Sequence, residues 1–172
     1  MNTDIYWVNE VIGGRLAILG RPRAGDWLED EIANWKSSGL TDVVCLLEEH
    51  EVWEVGLTRE ADLTEQAGIV FERFPIPDRG VPSSVEATQI LWAGLAEKIR
   101  GGRAVGVHCR ASIGRAGLIT TGTLVRMGVP PDDAWLRVAA ARGRSVPDTE
   151  EQRTWLATAF RHDFNSTGGT DR

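Results

Sequence analysis

The chain has 172 residues and a mass of 18.9 kDa, a size typical of one domain with one main hydrophobic core. Its composition, 42% apolar and 26% charged, excludes a disordered chain, and no apolar run approaches the roughly 18 residues of a membrane-spanning helix. The net charge of −6 excludes a general attraction to nucleic acid or to anionic membranes. We therefore expect any anion that this protein binds to be held by a local site.

The N-terminal segment predicts a β-hairpin followed by a helix. Strand-like runs at Ile5–Val8 and Leu16–Leu19 are separated by Gly13 and Gly14, a pair that is typical of a turn. A helix is predicted from about Trp27 to Ser38, where apolar residues recur at helical spacing.

The middle of the chain alternates strands with helices. The apolar and β-branched run Thr41–Leu47 predicts a buried strand, and an acidic stretch follows it. A short helix near Arg59–Gln66 precedes a second strand, Ile69–Phe74. That strand leads into a proline-rich loop, Pro75–Pro82.

The next part of the chain begins with a capping motif. Ser83 and Glu86 predict a capping box at the start of a long helix that ends near Arg100. A short apolar strand is predicted at Ala104–Val107. The loop after it, residues 109–114, leads directly into another helix.

Three helices complete the prediction. They are expected at Arg115–Met127, Pro131–Arg142 and Thr149–Phe164, the last with a capping box formed by Asp148 and Glu151. Strands that alternate with helices predict a single α/β domain, with a central, mainly parallel sheet flanked by helices and an N-terminal hairpin at one edge. This domain is predicted to span residues 1–164, and residues 165–172, rich in Ser, Thr and Gly, are predicted to form a flexible tail.

The loop that contains Cys109 predicts the chemistry. It follows a predicted strand and ends at the N-terminus of a helix that begins with Arg115. Backbone N–H groups, the helix dipole and a planar guanidinium together favour a bound phosphate. The same groups stabilise a thiolate, so Cys109 is predicted to be a nucleophile. The residues predicted to bind the substrate phosphate are Arg110, Ala111, Ser112, Ile113, Gly114 and Arg115.

Residues His108–Gly117 resemble the signature His-Cys-five residues-Arg-Ser/Thr-Gly of the cysteine-dependent protein tyrosine phosphatase superfamily. The size of the chain resembles the compact dual-specificity branch, which includes bacterial relatives of cyclin-dependent-kinase-inhibitor-3-type phosphatases. The resemblance implies a dual-specificity phosphatase-like fold. It also implies that Cys109 attacks phosphorus to form a phosphocysteine, that Arg115 binds the phosphoryl oxygens, and that water then hydrolyses the intermediate. No metal and no cofactor are implied.

Four further residues are assigned by the same resemblance, with alternatives. Asp78 occupies the position of the family's general acid, and the alternative is a turn aspartate bonded to its own backbone. His108 is expected to order the loop or to tune the thiolate. Asp148 and Gln152 resemble the segment that positions the hydrolytic water, although Asp148 is equally explained as a helix cap.

Three other positions require separate interpretations. Arg110 would favour strongly anionic substrates, unless it is simply a solvated surface residue. Cys45 has no pattern around it and is expected to fill the core. Ala116 stands where family members usually carry Ser or Thr, and the loss of a hydroxyl donor to sulfur predicts slower hydrolysis of the phosphocysteine. A hydroxyl one helical turn later, on Thr120 or Thr121, could partly compensate.

These interpretations predict a phosphomonoester hydrolase, most directly a protein tyrosine or dual-specificity phosphatase. The alternatives are a phosphatase for a phosphorylated lipid, sugar or nucleotide, and a non-catalytic phosphate-binding module. The expected partner is a phosphorylated protein or a small phosphomonoester, without nucleic acid or membrane, and the protein is expected to be a monomer. Because the N-terminus lacks the profile of a signal peptide and only two cysteines are present, a cytoplasmic location is expected.

Overall fold

The chain folds around one five-stranded mixed sheet. The computed structural model describes residues 2–166, and of residues 162–166 only the backbone. In chain order the elements are β1 (Ile5–Trp7), β2 (Arg15–Leu19), a 3-10 turn (Gly25–Trp27), α1 (Leu28–Ser37), β3 (Asp42–Cys45), α2 (Glu49–Glu54), α3 (Glu60–Gln66), β4 (Val70–Arg73), α4 (Val85–Arg100), β5 (Ala104–His108), α5 (Gly114–Arg126), α6 (Pro131–Arg142) and α7 (Glu150–Ser166). Among these described helices, none is long and apolar enough to cross a membrane.

The order of the strands in the sheet is β1-β2-β5-β3-β4. β1 runs antiparallel to β2, and every other neighbouring pair is parallel. The predicted α/β fold, with a mainly parallel sheet and an N-terminal hairpin at one edge, is therefore confirmed. Since β5, β3 and β4 are parallel neighbours, the loops that follow them emerge at the same edge of the sheet.

Helices cover both faces of the sheet. Successive residues of a strand point to opposite faces, and the apolar residues on each face pack into a separate apolar cluster. Val105 and Val107 of β5 contribute to the cluster that is completed by buried residues of α4, α5, α6 and α7. Val43 and Cys45 of β3 contribute to the other cluster, together with buried residues of α1 and of the connection around α2. Both faces are buried at the central strands β5 and β3, whereas the edge strands β1 and β4 are partly exposed.

One helix was not predicted, and three strands, β1, β3 and β4, are shorter than predicted, β3 most of all. The acidic stretch after β3 forms α2, whose sequence is too polar and too short to show a helical apolar period. β3 covers four of the seven residues of the predicted strand Thr41–Leu47. Leu46 still donates its N–H to His108 C=O at 3.0 Å, so the backbone pairing continues beyond the regular strand.

Both predicted capping boxes are wrong by one residue. At the start of α4 the cap is Ser84, not Ser83, since the Ala87 N–H donates to Ser84 Oγ at 3.0 Å. The third residue of α4 is Ala87, so Glu86 is not placed to accept a bond from the backbone N–H of the cap residue, as the predicted box required. At the start of α7 the box is formed by Thr149 and Gln152, not by Asp148 and Glu151. The Gln152 N–H donates to Thr149 Oγ1 and the Thr149 N–H donates to Gln152 Oε1, both at 3.2 Å.

The predicted domain limits remain a prediction. The backbone of α7 reaches Ser166, two residues beyond the expected end of that helix. The rest of the predicted tail, residues 167–172, lies outside the described residues.

Candidate active site

The site is built on the loop between β5 and α5. His108 ends β5, and α5 begins at Gly114, so the loop spans only residues 109–113. The first helical bond of α5 runs from Gly117 N–H to Ile113 C=O, and the amides before it have no partner inside the helix. These amides and the positive end of the helix dipole favour an anion next to Cys109.

Several predicted site residues line one pocket at this loop. Its lining consists of Asp78, Arg79, Cys109, Ala111, Gly114, Arg115, Asp148 and Gln152. The structure thus brings together the proposed nucleophile, the arginine and the aspartate from separate parts of the chain. Cys109 is only 2% exposed, which places its thiol within the protein rather than on its surface.

Not every residue of the loop contributes its side chain to this pocket. Arg110 turns towards α2 and forms an exposed ion pair with Glu54, with an N–O distance of 2.9 Å. Ser112 is buried, and Ile113 packs against the core. Any contribution of these three residues to phosphate binding would therefore come from their backbone amides.

Arg115 is buried and held by three partners. Its two terminal nitrogens donate to the two carboxylate oxygens of Glu51 at 2.6 and 2.9 Å. Nη1 also donates to Ile76 C=O at 2.9 Å, and Nη2 to Asp78 Oδ1 at 3.1 Å. Within the described part of the chain Nε has no partner, so this edge of the guanidinium is available to a ligand.

Glu51 and Arg115 keep each other charged. Burial alone would lower the pKa of Arg115, but the hydrogen bonds to Glu51 and the charges of Cys109, Glu51 and Asp78 outweigh it and raise that pKa. Burial would likewise raise the pKa of Glu51, but the bonds from Arg115 and from the Glu48 N–H lower it instead. The arginine is therefore cationic and oriented before any phosphate binds.

Asp78 lies on a tight turn after β4. Ile76 is fully buried and anchors this turn, and the Gly80 N–H donates to Pro77 C=O at 2.8 Å. The Asp78 side chain is 58% exposed, while Arg115 beneath it is 2% exposed. Its carboxylate bonds to Arg115 rather than to its own backbone, so the geometry favours a role at the site over that of a simple turn residue.

The opposite wall of the pocket comes from the segment before α7. Asp148 is paired with Arg79 at 3.5 Å across the rim, and the helix is capped by Thr149 instead. Gln152 is fully buried; its Oε1 accepts from the N–H groups of Asp148 and Thr149, and its Nε2 donates to Gly80 C=O at 3.0 Å. Gln152 thereby links this wall to the turn that carries Asp78.

His108 lies beneath the loop rather than in the pocket. Both His108 and Glu60 are fully buried, and His108 Nε2 lies 2.6 Å from the carboxylate of Glu60. Burial would lower the pKa of His108, but the charges of Glu60 and Cys45 outweigh it and raise that pKa well above 6.5. His108 Nδ1 faces Cys109 C=O at 3.4 Å, so the ring supports the first residue of the loop.

Cys45 is fully buried beside this pair. The ligand-type atoms of Cys45, Glu60 and His108 lie within 4.8 Å of one another. Two nitrogen or oxygen ligands of one tetrahedral zinc ion would lie about 3.3 Å apart, whereas the 2.6 Å contact is a direct hydrogen bond. Cys45 belongs to the apolar cluster on the opposite face of the sheet from that of Cys109.

The sequence reasoning missed Glu51 and Glu60. Both are acidic residues in polar stretches, a pattern typical of solvated surface, yet each is at most 1% exposed. The available signal was indirect, because a buried arginine requires an anionic partner and a buried histidine requires a hydrogen-bond partner. Their partners lie 64 and 48 residues away along the chain, which no local pattern shows.

Comparisons with known proteins agree on the type of protein that this chain resembles. A family model described as "Polymorphic toxin system, DSP-PTPase phosphatase" matches residues 17–129. Cyclin-dependent kinase inhibitor 3 of Rattus norvegicus is 28% identical over 131 residues, covering 75% of this chain and 61% of that protein. The Homo sapiens protein of the same name is 25% identical over 123 residues, covering 70% and 58%. The chain thus spans about six-tenths of the length of these curated relatives.

Solved structures show the same fold. A kinase-associated phosphatase, crystallised with its catalytic-site cysteine replaced by serine, superposes with a TM-score of 0.80 at 19% identity, covering 100% of this chain and 99% of that one. Tk-PTP in its active form superposes with a TM-score of 0.70 at 28% identity, covering 85% of this chain and 91% of that one.

Proposed function

This chain belongs to the DSP-PTPase phosphatase family of polymorphic toxin systems, and from that premise we propose that it hydrolyses phosphomonoesters through a covalent phosphocysteine at Cys109. The observation that carries the proposal is the pocket in which Cys109, Arg115 and Asp78 meet at the N-terminus of α5. A nucleophile, an anion-binding group and a proton donor are the three elements that such a reaction requires.

In the first step the phosphoryl group enters beside Cys109. Two of its oxygens bind the free Nε and the Nη2 of Arg115, displacing Asp78 from Nη2. The thiolate sulfur attacks phosphorus, the S–P bond forms, and the P–O bond of the ester breaks. The displaced Asp78 carboxyl, protonated in the reactive complex, gives its proton to the leaving oxygen.

In the second step water breaks the S–P bond. Asp78, now a carboxylate, takes a proton from the attacking water, and inorganic phosphate and the thiolate are released. Gln152 lines the pocket with its oxygen already bonded to two amides and its nitrogen bonded to Gly80 C=O. The nitrogen retains one N–H with which it would orient that water.

We propose a phosphorylated protein as the substrate, dephosphorylated at tyrosine and also at serine or threonine. The rim favours a single phosphate, because Arg79 and Arg110 are each paired with a carboxylate, Asp148 and Glu54. A substrate with several phosphates would have to displace these carboxylates. We also propose that the protein acts as a monomer in the cytoplasm, where a reactive thiol stays reduced.

The decisive experiment traps the intermediate. The wild-type protein, mixed with p-nitrophenyl phosphate and quenched in acid, should carry one phosphoryl group on the peptide that contains Cys109, as read by mass spectrometry. Cys109→Ser should carry none and release no p-nitrophenol, yet it should still bind inorganic phosphate. Turnover by Cys109→Ser, or a phosphoryl group on another residue, would exclude the proposed mechanism.

The role of Asp78 is tested separately. Asp78→Asn should slow intermediate formation most for alkyl phosphates, whose leaving groups need a proton, and least for p-nitrophenyl phosphate. The matched control is the same substitution on the rim, Asp148→Asn. Its effect on the rate of intermediate formation should be the same for every leaving group. Equal sensitivity to the leaving group in both variants would remove Asp78 as the acid.

The substrate class is tested with a panel at equal concentration. Phosphotyrosine and phosphoserine peptides, phosphoinositides and nucleotides should be compared with the wild-type protein. Higher kcat/KM for the peptides supports the proposal. Higher kcat/KM for phosphoinositides or nucleotides would favour the alternative of a phosphatase for non-protein substrates.

A further inference from the structure

Arg142, the last residue of α6, contacts the outer side of the phosphate-binding loop. Its Nε donates to Ser112 C=O at 2.9 Å, and one of its terminal nitrogens donates to Ala111 C=O at 3.3 Å. Arg142 is not part of the pocket lining, so it reaches these carbonyls from outside the pocket. Its guanidinium also stacks over the Tyr6 ring, with 4.4 Å from Cζ to the ring centroid.

We propose that Arg142 is a positioning residue that orients the amides of the loop towards the bound phosphate; this inference rests on the proposed function. In a planar trans peptide, the C=O of one residue and the N–H of the next point in opposite directions. Carbonyls of Ala111 and Ser112 that point outwards to Arg142 therefore turn the N–H groups of Ser112 and Ile113 away from Arg142, towards the pocket. Those are two of the donors that a phosphate requires.

The backbone of the loop shows why such a clamp is needed. Ser112 has φ of +54°, a left-handed conformation that a residue with a Cβ adopts at a cost. Ser112 is also 1% exposed, so water cannot satisfy its carbonyl from the outside. A bond from Arg142 to that carbonyl stabilises the strained conformation at the residue where the strain lies.

Arg142 also connects the loop to the N-terminal hairpin through its contact with Tyr6. Tyr6 lies on edge strand β1, and Arg142 lies at the end of α6, next to the left-handed cap residue Gly143. The stacked ring limits the positions of the guanidinium, which makes its bonds to the loop specific in direction. The hairpin edge of the sheet thereby contributes to the shape of the phosphate site without touching it.

The test uses Arg142→Met, which keeps an apolar stem and removes the donors. The readout is the affinity for tungstate, a phosphate analogue, measured by calorimetry, together with KM and kcat for p-nitrophenyl phosphate. We expect tungstate affinity to fall roughly tenfold and kcat/KM roughly 10- to 100-fold, because the amides are misplaced by a fraction of a bond length or more. Arg142→Lys should recover only part of the loss, since a point charge cannot span both carbonyls.

The matched control is Arg137→Met on the same helix. Arg137 pairs with Asp133 and Glu10 and has no bond to the loop, so this variant removes the same charge at a surface site. It should bind tungstate with wild-type affinity. If Arg142→Met also binds tungstate within twofold of the wild type, or if Arg137→Met loses as much, the inference is wrong.

A second variant separates positioning from folding. Ser112→Gly relieves the cost of the positive φ, so the loop should depend less on the clamp. The loss of tungstate affinity caused by Arg142→Met should therefore be several-fold smaller in the Ser112→Gly background, while equal losses in both backgrounds would contradict the inference.

The failure of the inference can be distinguished from the failure of the proposed function, because tungstate binding does not require turnover. A protein whose tungstate affinity depends on Arg142 but which forms no phosphocysteine would refute the proposed function alone. A Cys109-dependent phosphatase indifferent to Arg142 would refute the inference alone.

Discussion

At the scale of single residues, the ion pair between Arg115 and Glu51 controls the orientation of the guanidinium in the proposed phosphate site. Both side chains are at most 2% exposed, so neither charge could be solvated if its partner were removed. The pair also determines which edge of the guanidinium faces the pocket, because each terminal nitrogen donates one hydrogen bond to Glu51. The edge formed by Nε and Nη2 is the one that remains for a ligand. One short motif is enough to predict Cys109 as a nucleophile and Arg115 as its anion-binding partner, whereas this orientation depends on a contact between distant parts of the chain.

Glu51→Gln should therefore be destabilising and inactivating. Loss of one partner of a buried ion pair costs about 3 kcal/mol or more, measurable by guanidinium chloride unfolding, and the released arginine should bind phosphate poorly. Glu54→Gln is the matched control on the same helix. Its partner Arg110 is 42% exposed, so the free energy of unfolding should change by no more than about 1 kcal/mol. Similar losses in the two variants would show that burial does not govern the Arg115 pair.

Ala116 gives a second prediction at the residue scale. It is fully buried directly after Arg115, and the hydroxyls of Thr120 and Thr121 have no hydrogen-bond partner among the described residues. Neither threonine therefore supplies the missing donor to sulfur in this structure. We expect Ala116→Ser to accelerate breakdown of the phosphocysteine in single-turnover assays, because a donor to sulfur makes it a better leaving group. The rate of intermediate formation provides the internal reference, and unchanged breakdown would remove this explanation.

At the scale of elements, the sequence predicted where helices begin better than which residue caps them. Ser83 and Ser84 are both suitable caps, as are Asp148 and Thr149, so composition alone leaves the choice open by one residue. The backbone decides it: Ser84 is extended, with φ of −136° and ψ of 119°, and its side chain reaches the third amide of α4. The consequence for the site is that Thr149 caps α7, which leaves Asp148 free to pair with Arg79.

The position of the α4 cap is directly testable. Ser84→Ala should lower the free energy of unfolding by about 1 kcal/mol, because the Ala87 N–H loses its acceptor. Ser83→Ala should change it by only a few tenths of a kcal/mol. Chemical denaturation of both variants makes the comparison. A larger loss of stability in Ser83→Ala would show that Ser83 is the cap, as the sequence predicted.

At the scale of the whole molecule, the order of the strands assembles the site. The loop after β5 carries Cys109 and leads into α5, which carries Arg115; the segment after β3 carries Glu51, and the loop after β4 carries Asp78. Because these strands are parallel neighbours, their carboxyl ends bring Arg115 into contact with Asp78 and Glu51, which lie 37 and 64 positions away along the chain. Alternating strands and helices were enough to predict a mainly parallel sheet with a hairpin at one edge, but the order of its strands was not predicted. The supporting contacts of Glu60 and Arg142 were not predictable, since they depend on how the helices pack against the loops.

The buried charges also determine how stability depends on pH. Burial tends to raise the pKa values of Glu31, Asp42 and Glu51. The hydrogen bonds that these carboxylates accept, from Thr3 and then Arg23 at Glu31 and mainly from arginine at the other two, lower the pKa values from ordinary values of 4.5, 3.8 and 4.5. The stability that these carboxylates contribute is complete above about pH 4.5 and is lost as the pH falls through their lowered values. His108 acts in the opposite direction. Its pKa is raised well above 6.5, so its contribution is complete below pH 6.5 and declines as the pH rises towards its value in the folded protein.

We therefore expect the wild-type protein to lose thermal stability on both sides of a plateau between about pH 4.5 and pH 6.5, because protonated carboxylates release their cations in acid and neutral His108 releases Glu60 in base. The alkaline decline can be assigned with His108→Gln, which keeps a polar group beside Glu60 but does not titrate. This variant should be less stable at pH 6 and should lose little further stability from pH 6.5 upwards, as measured by Tm at constant ionic strength. A decline of the same slope in both proteins would mean that another group, and not the pair beneath Cys109, controls alkaline stability.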